Sequence, residues 1–394
     1  MLPLITEEQS GIAFAEIFQD VHGWRKNMIH YLKEENPEVN TAILEAAKGT
    51  DLDPKAVALG AYMTYRLLEL ASEEDGAFTV EEEWQNRKIT NMKEYVFLDG
   101  EYIEADKATI PVRTHAFLYG TGVFEGIRGY YNKDDDTVYV FRMKEHYERL
   151  LRSAKVMWME SPYTLEEYQQ ITIDLLKKNN YHQNVYIRPS LYKSSIKVGP
   201  SLTDNKDSFL LFTTPLNDYY DADKGLNVCV SNWRRNSDNA IPPSVKVTGA
   251  YANASLIKTD AHASGFDDAI VLNEQGYVSE GSAMNLCFIQ NGKLITTNTT
   301  DDILVGVTRN TVLELAKDLG IETVERNVNR SEVYTFDEVF CCGTGAQIMP
   351  IVSIDHRTIG DGATGKITKI IQNLYYDVVK GKVPKYRHWC TRVQ

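Results

Sequence analysis

The sequence has few of the features that mark secreted, membrane and metal-binding proteins. Its 394 residues include five cysteines, and no two of them form a Cys-x-x-Cys pair, so neither a disulfide framework nor a thiolate zinc site is indicated. The longest apolar runs, at residues 209–212 and 339–342, are far shorter than the roughly 20 residues that cross a bilayer. The N-terminus shows no signal-peptide pattern. We therefore expect a cytoplasmic protein with reduced cysteines, no metal and no membrane partner.

Positive charge is also scarce. The chain has 42 Lys and Arg against 55 Asp and Glu, which gives a formal net charge of −13. Nucleic acids bind clustered basic residues, so nucleic acid is not a predicted partner. Residues 1–90 hold 8 basic and 17 acidic residues, and this stretch therefore carries nine of the thirteen net negative charges.

Composition divides the chain into four regions. In residues 1–92, apolar residues recur at spacings of three and four, which predicts an acidic helical extension. It is interpreted either as an add-on that packs on the main body or as a docking module. Strands and helices alternate from residue 93 onward, which predicts two α/β lobes at residues 93–214 and 225–394. A polar loop at residues 215–224 would join them.

Several elements can be placed within the two lobes. Asp99-Gly100 between two strand-like segments predicts a β-hairpin. Further strands are predicted at residues 137–141, 185–191, 209–213, 226–230, 269–272, 285–289 and 294–296, and helices at residues 164–178, 252–263 and 308–319.

Lys246 is the first candidate for chemistry. It lies among small and apolar residues, after the diproline Pro242-Pro243 and ahead of a predicted helix. An apolar setting disfavours the ammonium form, so such a lysine can act as a nucleophile toward aldehydes. The alternative is a surface lysine whose stem lies along the lobe.

Three further stretches combine glycine with polar residues. Glu280 precedes a glycine and an apolar strand, so it is either a buried acid that needs a cationic partner or an acid in an exposed turn. Gly306 and Thr308 open a predicted helix, whose N–H groups would suit a phosphate or only a threonine cap. The turn at residues 343–347 contains two glycines and could offer N–H donors to an anion.

Taken together and in this order, these stretches resemble the class IV (fold-type-IV) pyridoxal-phosphate aminotransferases, and among them the branched-chain amino acid aminotransferases. The resemblance covers residues 93–394. It rests on HAFLYGTGVFEGIR at residues 115–128 and on residues 145–150, 185–189, 246–251, 279–286, 306–309, 343–346 and 375–382. It implies a two-lobe α/β fold, pyridoxal 5′-phosphate as cofactor and a homodimer whose partner subunit completes the pocket.

The resemblance also implies roles for individual residues. Lys246 matches the lysine that forms a Schiff base with the cofactor and moves a proton between Cα and C4′. Glu280 matches the acid at the pyridine nitrogen, and Tyr251 the phenol at the ring oxygen. The residues that match phosphate-binding positions are Arg149, Val307, Thr308 and Thr344. Those that match substrate-pocket positions are Tyr119, Phe124, Arg128, Tyr186, Arg188, Thr344 and Gly345.

Two departures bear on the substrate. Leu216, Asn217 and Asp218 stand where the family commonly has Trp-Gly-Ala, and Met284 stands where it usually has Glu or Gly. The expected reaction is ping-pong transamination between leucine, isoleucine or valine and 2-oxoglutarate. The altered loop leaves open an aminotransferase of a specialised pathway that acts on another apolar or aromatic amino acid. A class IV lyase and a non-catalytic binding protein are the more distant alternatives.

Overall fold

The computed structural model describes residues 93–216 and 224–393 of the chain. These residues form two β-sheets covered by helices, which is the mixed α/β fold that the sequence predicts. The predicted extension at residues 1–92 and most of the predicted loop, residues 217–223, lie outside the described residues. Within the described residues, no helix has both the length and the apolar character needed to cross a membrane.

The elements are named here in chain order. The strands are β1 (Tyr95–Leu98), β2 (Glu101–Glu104), β3 (Gly122–Phe124), β4 (Ile127–Asn132), β5 (Thr137–Phe141), β6 (Val185–Lys193), β7 (Asp207–Pro215), β8 (Leu226–Arg234), β9 (Asp268–Leu272), β10 (Val278–Gly281), β11 (Asn285–Gln290), β12 (Lys293–Thr296), β13 (Thr323–Glu325), β14 (Glu338–Gly343), β15 (Gln347–Ile354), β16 (Arg357–Thr358) and β17 (Cys390–Arg392). The helices are α1 (His115–Tyr119), α2 (Met143–Val156), α3 (Leu165–Asn179), α4 (Tyr251–Ala263), α5 (Val307–Asp318) and α6 (Lys366–Val379).

The first sheet has the strand order β17-β5-β4-β6-β7-β1-β2, and β3 also pairs with β6. Its pairings are all antiparallel. The hairpin between β1 and β2 turns at Asp99 and Gly100, whose φ angles of 48° and 102° are those that a tight hairpin turn favours. Helices α2 and α3 contribute Tyr147, Leu150 and Leu175 to the apolar core of this sheet.

The second sheet has the order β10-β9-β8-β15-β14-β11-β12-β13, and β16 pairs with β15. Strands β8, β9 and β15 run parallel to one another, and the middle of the sheet is antiparallel. Strands β11 and β14 are buried on both faces: Cys341 lies in the core on one face, and Cys342 lies in the core shared with α5 and α6 on the other. Both are buried free thiols, as the sequence predicts.

The predicted elements of both lobes are found within a few residues of their predicted bounds. The helix at residues 164–178 is Leu165–Asn179, and it begins with a capping box between Thr164 and Glu167. Strands β14 and β15 and helix α6 were not predicted from the sequence. Strands β14 and β15 are nearly continuous apolar runs that lack the alternation by which a half-buried strand is found.

Candidate active site

A cavity of about 190 Å³ opens between the two sheets. Strands β3 and β6 of the first sheet, helix α2, strand β10 of the second sheet and the start of α5 all contribute side chains to its lining. The cavity gathers eleven of the thirteen residues predicted for the site, namely Phe124, Arg149, Tyr186, Arg188, Lys246, Tyr251, Glu280, Val307, Thr308, Thr344 and Gly345. The other two, Tyr119 and Arg128, do not line it.

The segment that carries Lys246 connects β8 to α4 and pairs with the first sheet on its way. Phe124 N donates to Lys246 O at 3.1 Å, and Thr248 N donates to Gly122 O at 2.8 Å. A side chain on Gly120 would place its Cβ 2.7 Å from the Cα of Gly249, so this crossing requires glycine. The two sheets are therefore joined by backbone hydrogen bonds at the position of the lysine.

The side chain of Lys246 points into the cavity and is half-buried. Its Nζ donates to the phenol oxygen of Tyr251 at 2.6 Å and lies 5.1 Å from the centre of the Phe124 ring. Tyr251 is the first residue of α4. The start of that helix thus places a phenol beside the lysine amine, where it can hold a proton or an oxygen of a bound group.

Glu280 is a buried acid with a cationic partner, which is the first of the two interpretations drawn from the sequence. It is 3% exposed, and its Oε1 lies 2.7 Å from Nη2 of Arg235. Its Oε2 accepts from Asn285 Nδ2 at 3.0 Å and from Leu304 N at 3.2 Å. Burial raises the pKa of Glu280, and the charge of Arg235 offsets this rise only in part.

Arg149 lies on α2 and forms a paired contact with Glu125, not with Glu145 or Glu148 on its own helix. Its Nε and Nη2 donate to the two oxygens of Glu125 at 2.6 and 2.8 Å, and its Nη1 donates to Val305 O at 2.8 Å.

Glu125 and His146 complete a buried triad with Arg149. Burial alone would raise the pKa of the fully buried Glu125, but Arg149 and His146 together lower it well below the usual range of a carboxyl. His146 Nδ1 lies 2.8 Å from Glu125. Burial lowers the pKa of His146, so the neutral imidazole donates this hydrogen bond at neutral pH.

Helix α5 begins at Val307 beside Arg149. Its N-cap is Gly306, which offers no side-chain cap, so the first N–H groups of the helix have no partner within it. A Cβ on Gly306 would lie 2.1 Å from Asn285 Oδ1, and this crowding explains the glycine. An uncapped helix start next to an arginine is a favourable site for an anion.

The turn at residues 343–345 forms another part of the cavity wall. Arg128 holds this turn from behind, since its Nη1 donates to Gly345 O at 3.1 Å and its Nη2 to Leu216 O at 3.4 Å. The family resemblance predicts Arg128 in the substrate pocket. In the structure its guanidinium is buried and binds backbone carbonyls, because β4 places it between two loops that need hydrogen-bond donors.

The substrate-side residues that do line the cavity form one aromatic and cationic cluster. Strand β6 alternates as predicted, so that Tyr186 and Arg188 share a face. Arg188 Nε donates to the Tyr186 hydroxyl at 2.8 Å, and the Arg188 guanidinium lies 4.2 Å from the centre of the Phe124 ring. The cluster can contact an apolar side chain and a carboxylate at the same place.

Tyr119 lies at the end of α1, away from the cavity lining. Its hydroxyl accepts from Gly199 N at 2.8 Å. It belongs to a group of exposed apolar side chains, here called the α1 patch, which consists of Ile110, Val112, Phe117, Leu118, Tyr119, Ile196 and Val198.

Four residues that support the site were not singled out from the sequence: Glu125, His146, Arg235 and Asn285. Glu125 lies within the motif at residues 115–128, and Arg235 is the second of two arginines that follow a predicted strand. A polar residue inside an apolar run, such as Glu125 after Val123 and Phe124, was the available signal. Nothing local indicates which residue its partner is.

Comparison with known proteins gives a consistent result. A sequence model of class IV amino-transferases matches residues 122–354. A probable branched-chain-amino-acid aminotransferase of Aquifex aeolicus is 45% identical over 301 residues, which is 76% of this chain and 97% of the relative. The branched-chain-amino-acid aminotransferase of Escherichia coli (strain K12) is 33% identical over 308 residues, 77% of this chain and 99% of that protein.

Solved structures agree with these relatives. The branched-chain aminotransferase from Thermoproteus uzoniensis, crystallised with norvaline, superposes with a TM-score of 0.74 at 38% identity and covers 77% of this chain and 100% of that one. The branched-chain amino acid aminotransferase from Thermobaculum terrenum in its PLP form has a TM-score of 0.74 at 37% identity, with 77% of this chain and 99% of that one covered.

Proposed function

This chain belongs to the class IV amino-transferase family, and we propose that it moves the amino group of a branched-chain L-amino acid to 2-oxoglutarate. The family's cofactor is pyridoxal 5′-phosphate. The observation that carries the proposal is the convergence of Lys246, Tyr251, Glu280 and Arg149 on one cavity. An amine, a phenol, a buried acid and an anion site suit the aldehyde, the ring oxygen, the ring nitrogen and the phosphate of this cofactor.

The phosphate end of the cavity fits the cofactor. A guanidinium has five N–H bonds. In Arg149, two of them donate to Glu125 and one donates to Val305 O. Two N–H bonds are left for a ligand. The uncapped N–H groups at Val307 and Thr308 lie at the same end of the cavity. The charged guanidinium of Arg149 and the free N–H groups at the start of α5 would together bind a phosphate dianion.

The ring end of the cavity fits as well. Bound pyridoxal phosphate supplies an aldehyde that an amine can attack and a ring that accepts electrons from the substrate Cα. The Lys246 amine would attack that aldehyde and would carry the Cα proton. Tyr251 would hold the ring oxygen, and Glu280 would hold a proton at the ring nitrogen.

The substrate assignment is supported by the charge of the cavity lining. The lining contains the cations Arg149, Arg188, Arg235 and Lys246, against the single carboxylate Glu280. After a phosphate is bound, Arg188 beside Tyr186 is the cation that remains for a second carboxylate, as in 2-oxoglutarate. The Phe124 ring and the Met284 side chain offer apolar contacts to a leucine, isoleucine or valine side chain. Backbone N–H groups of Thr344 and Gly345 would bind the α-carboxylate.

A homodimer is the assembly that we propose. The α1 patch exposes several large apolar side chains, of which Val112, Phe117 and Val198 are the most exposed. The two segments that carry the patch are adjacent, since Thr114 pairs with Ile196 and Gly199 N donates to the Tyr119 hydroxyl. An exposed apolar patch marks an interaction surface, and a second copy of the chain is the occupant proposed here. Sedimentation velocity should show a dimer for the wild type and a monomer for Phe117→Asp. A monomeric wild type would contradict this assembly.

A cytoplasmic location is part of the proposal. All five cysteines are free thiols, which is the state that a reducing compartment maintains. Fractionation of cells that express the full chain would test the location, and recovery with secreted or membrane proteins would contradict it.

The reaction can be tested by the absorption of the reconstituted protein. Pyridoxal phosphate linked to Lys246 should give a visible band that disappears with L-leucine alone and returns with 2-oxoglutarate. Lys246→Ala should abolish the band, whereas Lys155→Ala, which removes an exposed lysine of α2, should keep it. A wild type that never acquires the band would overturn the proposal.

The same assay separates the alternatives. A band that ignores leucine but responds to another apolar or aromatic amino acid would move the donor and keep the chemistry. In that case Leu216→Trp should shift the preference toward leucine. Turnover that needs no 2-oxo acid acceptor would instead indicate a lyase.

A further inference from the structure

We propose that Arg235 is a positioning residue that sets the charge of Glu280 and, through it, the protonation of the ring nitrogen of bound pyridoxal phosphate. This inference rests on the proposed function, because it concerns the group that the cavity would bind. It adds a residue to which the sequence motifs assign no role.

Arg235 and Glu280 form a direct ion pair. Arg235 follows the last residue of β8, and its backbone N donates to Leu272 O at 3.0 Å. This hydrogen bond to the neighbouring strand directs the side chain toward β10. The side chain is 11% exposed, and its Nη2 lies 2.7 Å from Oε1 of Glu280. Its Nε is buried without a hydrogen-bond partner among the described residues, so the guanidinium is held mainly by the acid.

The charges around Glu280 determine how strongly its ionisation depends on Arg235. Three cations act on it electrostatically: Arg235, Lys246 and Arg149. Arg149 is paired with Glu125 and would also bind the phosphate, and the Lys246 amine would form the linkage to the cofactor. Arg235 is therefore the basic side chain that contacts Glu280 directly, with its Nη2 2.7 Å from the carboxylate.

Glu280 is a buried carboxylate whose one ionic contact is Arg235. Burial raises the pKa of Glu280, so the ionised form depends on its neighbours. The amide of Asn285 and the N–H of Leu304 donate to Oε2, but neither carries a full charge. Arg235 also interacts electrostatically with Asp302, which is not hydrogen-bonded to it. Removal of the Arg235 charge should favour the protonated acid, which cannot stabilise a protonated ring nitrogen.

The closing experiment compares two adjacent arginines. Arg235→Met removes the charge beside Glu280, and Arg234→Met is the matched control, because the side chain of Arg234 is exposed and makes no ion pair with a described residue. The first measurement is the infrared titration of the Glu280 carboxyl in the cofactor-free protein, with Glu280→Gln used to identify its band. The midpoint should rise by roughly 1–3 pH units in Arg235→Met, a tenfold to thousandfold change in proton affinity, and should not move in Arg234→Met.

The second measurement reads the bound cofactor directly. With pyridoxal phosphate labelled with ¹⁵N in the ring, the nitrogen resonance should report a protonated ring in the wild type and in Arg234→Met. In Arg235→Met it should move toward the unprotonated value, and Arg235→Lys should restore part of the wild-type signal. If Arg235→Met does not fold, Arg235→Lys carries both measurements with a smaller shift in the same direction.

The outcomes separate this inference from the proposed function. Equal carboxyl midpoints in Arg235→Met and Arg234→Met would overturn the inference whether or not the protein binds the cofactor. If the titration midpoint of Glu280 moves in Arg235→Met but the ring-nitrogen resonance does not, Arg235 controls Glu280 but not the protonation of the ring, and that part of the inference is overturned. Failure of the wild type to take up pyridoxal phosphate would overturn the proposed function, while the infrared titration would still decide whether Arg235 controls Glu280.

Discussion

A buried acid lies beside an arginine at each end of the cavity, Glu280 in the cavity lining and Glu125 behind Arg149, and the pKa values of the two acids are shifted in opposite directions. At the phosphate end, Glu125 receives two N–H groups from one edge of Arg149 and a third from His146, and its pKa is lowered. At the ring end, Glu280 has a single ion pair, in which Nη2 of Arg235 lies 2.7 Å from its Oε1, and its pKa is raised. The number and strength of these contacts decide whether the ionised form is stabilised more than burial penalises it.

This difference separates a supporting acid from a responsive one. The pKa of Glu125 is held well below its usual range by Arg149 and His146, so the carboxylate is ionised at neutral pH and holds Arg149 in one orientation. The pKa of Glu280 is raised by burial, so its charge depends on a neighbouring charge or a bound ring. A glutamate and an arginine therefore form a fixed ion pair at the phosphate end of the cavity, whereas at the ring end they form a pair in which the charge of the acid can change.

The largest effect is expected from Glu125→Gln. This substitution leaves the buried Arg149 guanidinium without its counter-charge, and such losses cost about 3–5 kcal/mol of unfolding free energy. Glu148→Gln, at a half-exposed residue of α2 that lies 3.9 Å from Lys144, is the control and should stay within about 0.5 kcal/mol of the wild type. Denaturant unfolding of the cofactor-free proteins measures both. Equal stability of the two variants would show that Glu125 does not anchor Arg149.

A smaller loss is expected from Asn285→Ala at the ring end. Asn285 Nδ2 donates to both Glu280 and the carbonyl of Leu304, so its removal leaves buried acceptors unsatisfied at about 1–3 kcal/mol. The exposed Asn310→Ala serves as control. The comparison predicts that Asn285→Ala also raises the pKa of Glu280. An unchanged carboxyl titration in this variant would mean that Arg235 alone determines the charge.

The smallest expected effect is on the pH dependence of the unfolding free energy, to which His146 and Glu280 contribute with opposite signs. The pKa of His146 is lowered from 6.5, so the unfolded chain binds more protons and the contribution of His146 to stability is lost as pH falls below 6.5. The pKa of Glu280 is raised from 4.5, so its contribution is present at low pH and is lost as pH rises above 4.5. Each slope is at most about 1.4 kcal/mol per pH unit.

The contribution of each residue to the pH dependence is measured by comparing the wild type with a variant that lacks the titrating group. The unfolding free energy of the wild type minus that of His146→Gln should increase with pH, and the corresponding difference for Glu280→Gln should decrease. Slopes of the same sign would contradict the assignment of one end as rigid and the other as responsive.

Much of the fold could be predicted because its signals are local. The hairpin at Asp99-Gly100 depends on two residues that accept positive φ, and the start of α3 depends on Thr164 and Glu167 three positions later. Strands with alternating burial such as β6 were found for the same reason. Strands β14 and β15 were not, since strands buried on both faces resemble any apolar run.

For the site, the sequence alone determined which chemical groups are present, in what order, and hence the family resemblance. Only the tertiary structure decided which charges meet. Glu125 and Arg149 are 24 residues apart, and Arg235 and Glu280 are 45 apart. The pairing of β3 with β6 and the direction in which the chain leaves β8 bring these residues together. The free energy of a buried charge depends on contacts within a few ångströms, and no local pattern specifies contacts between distant segments.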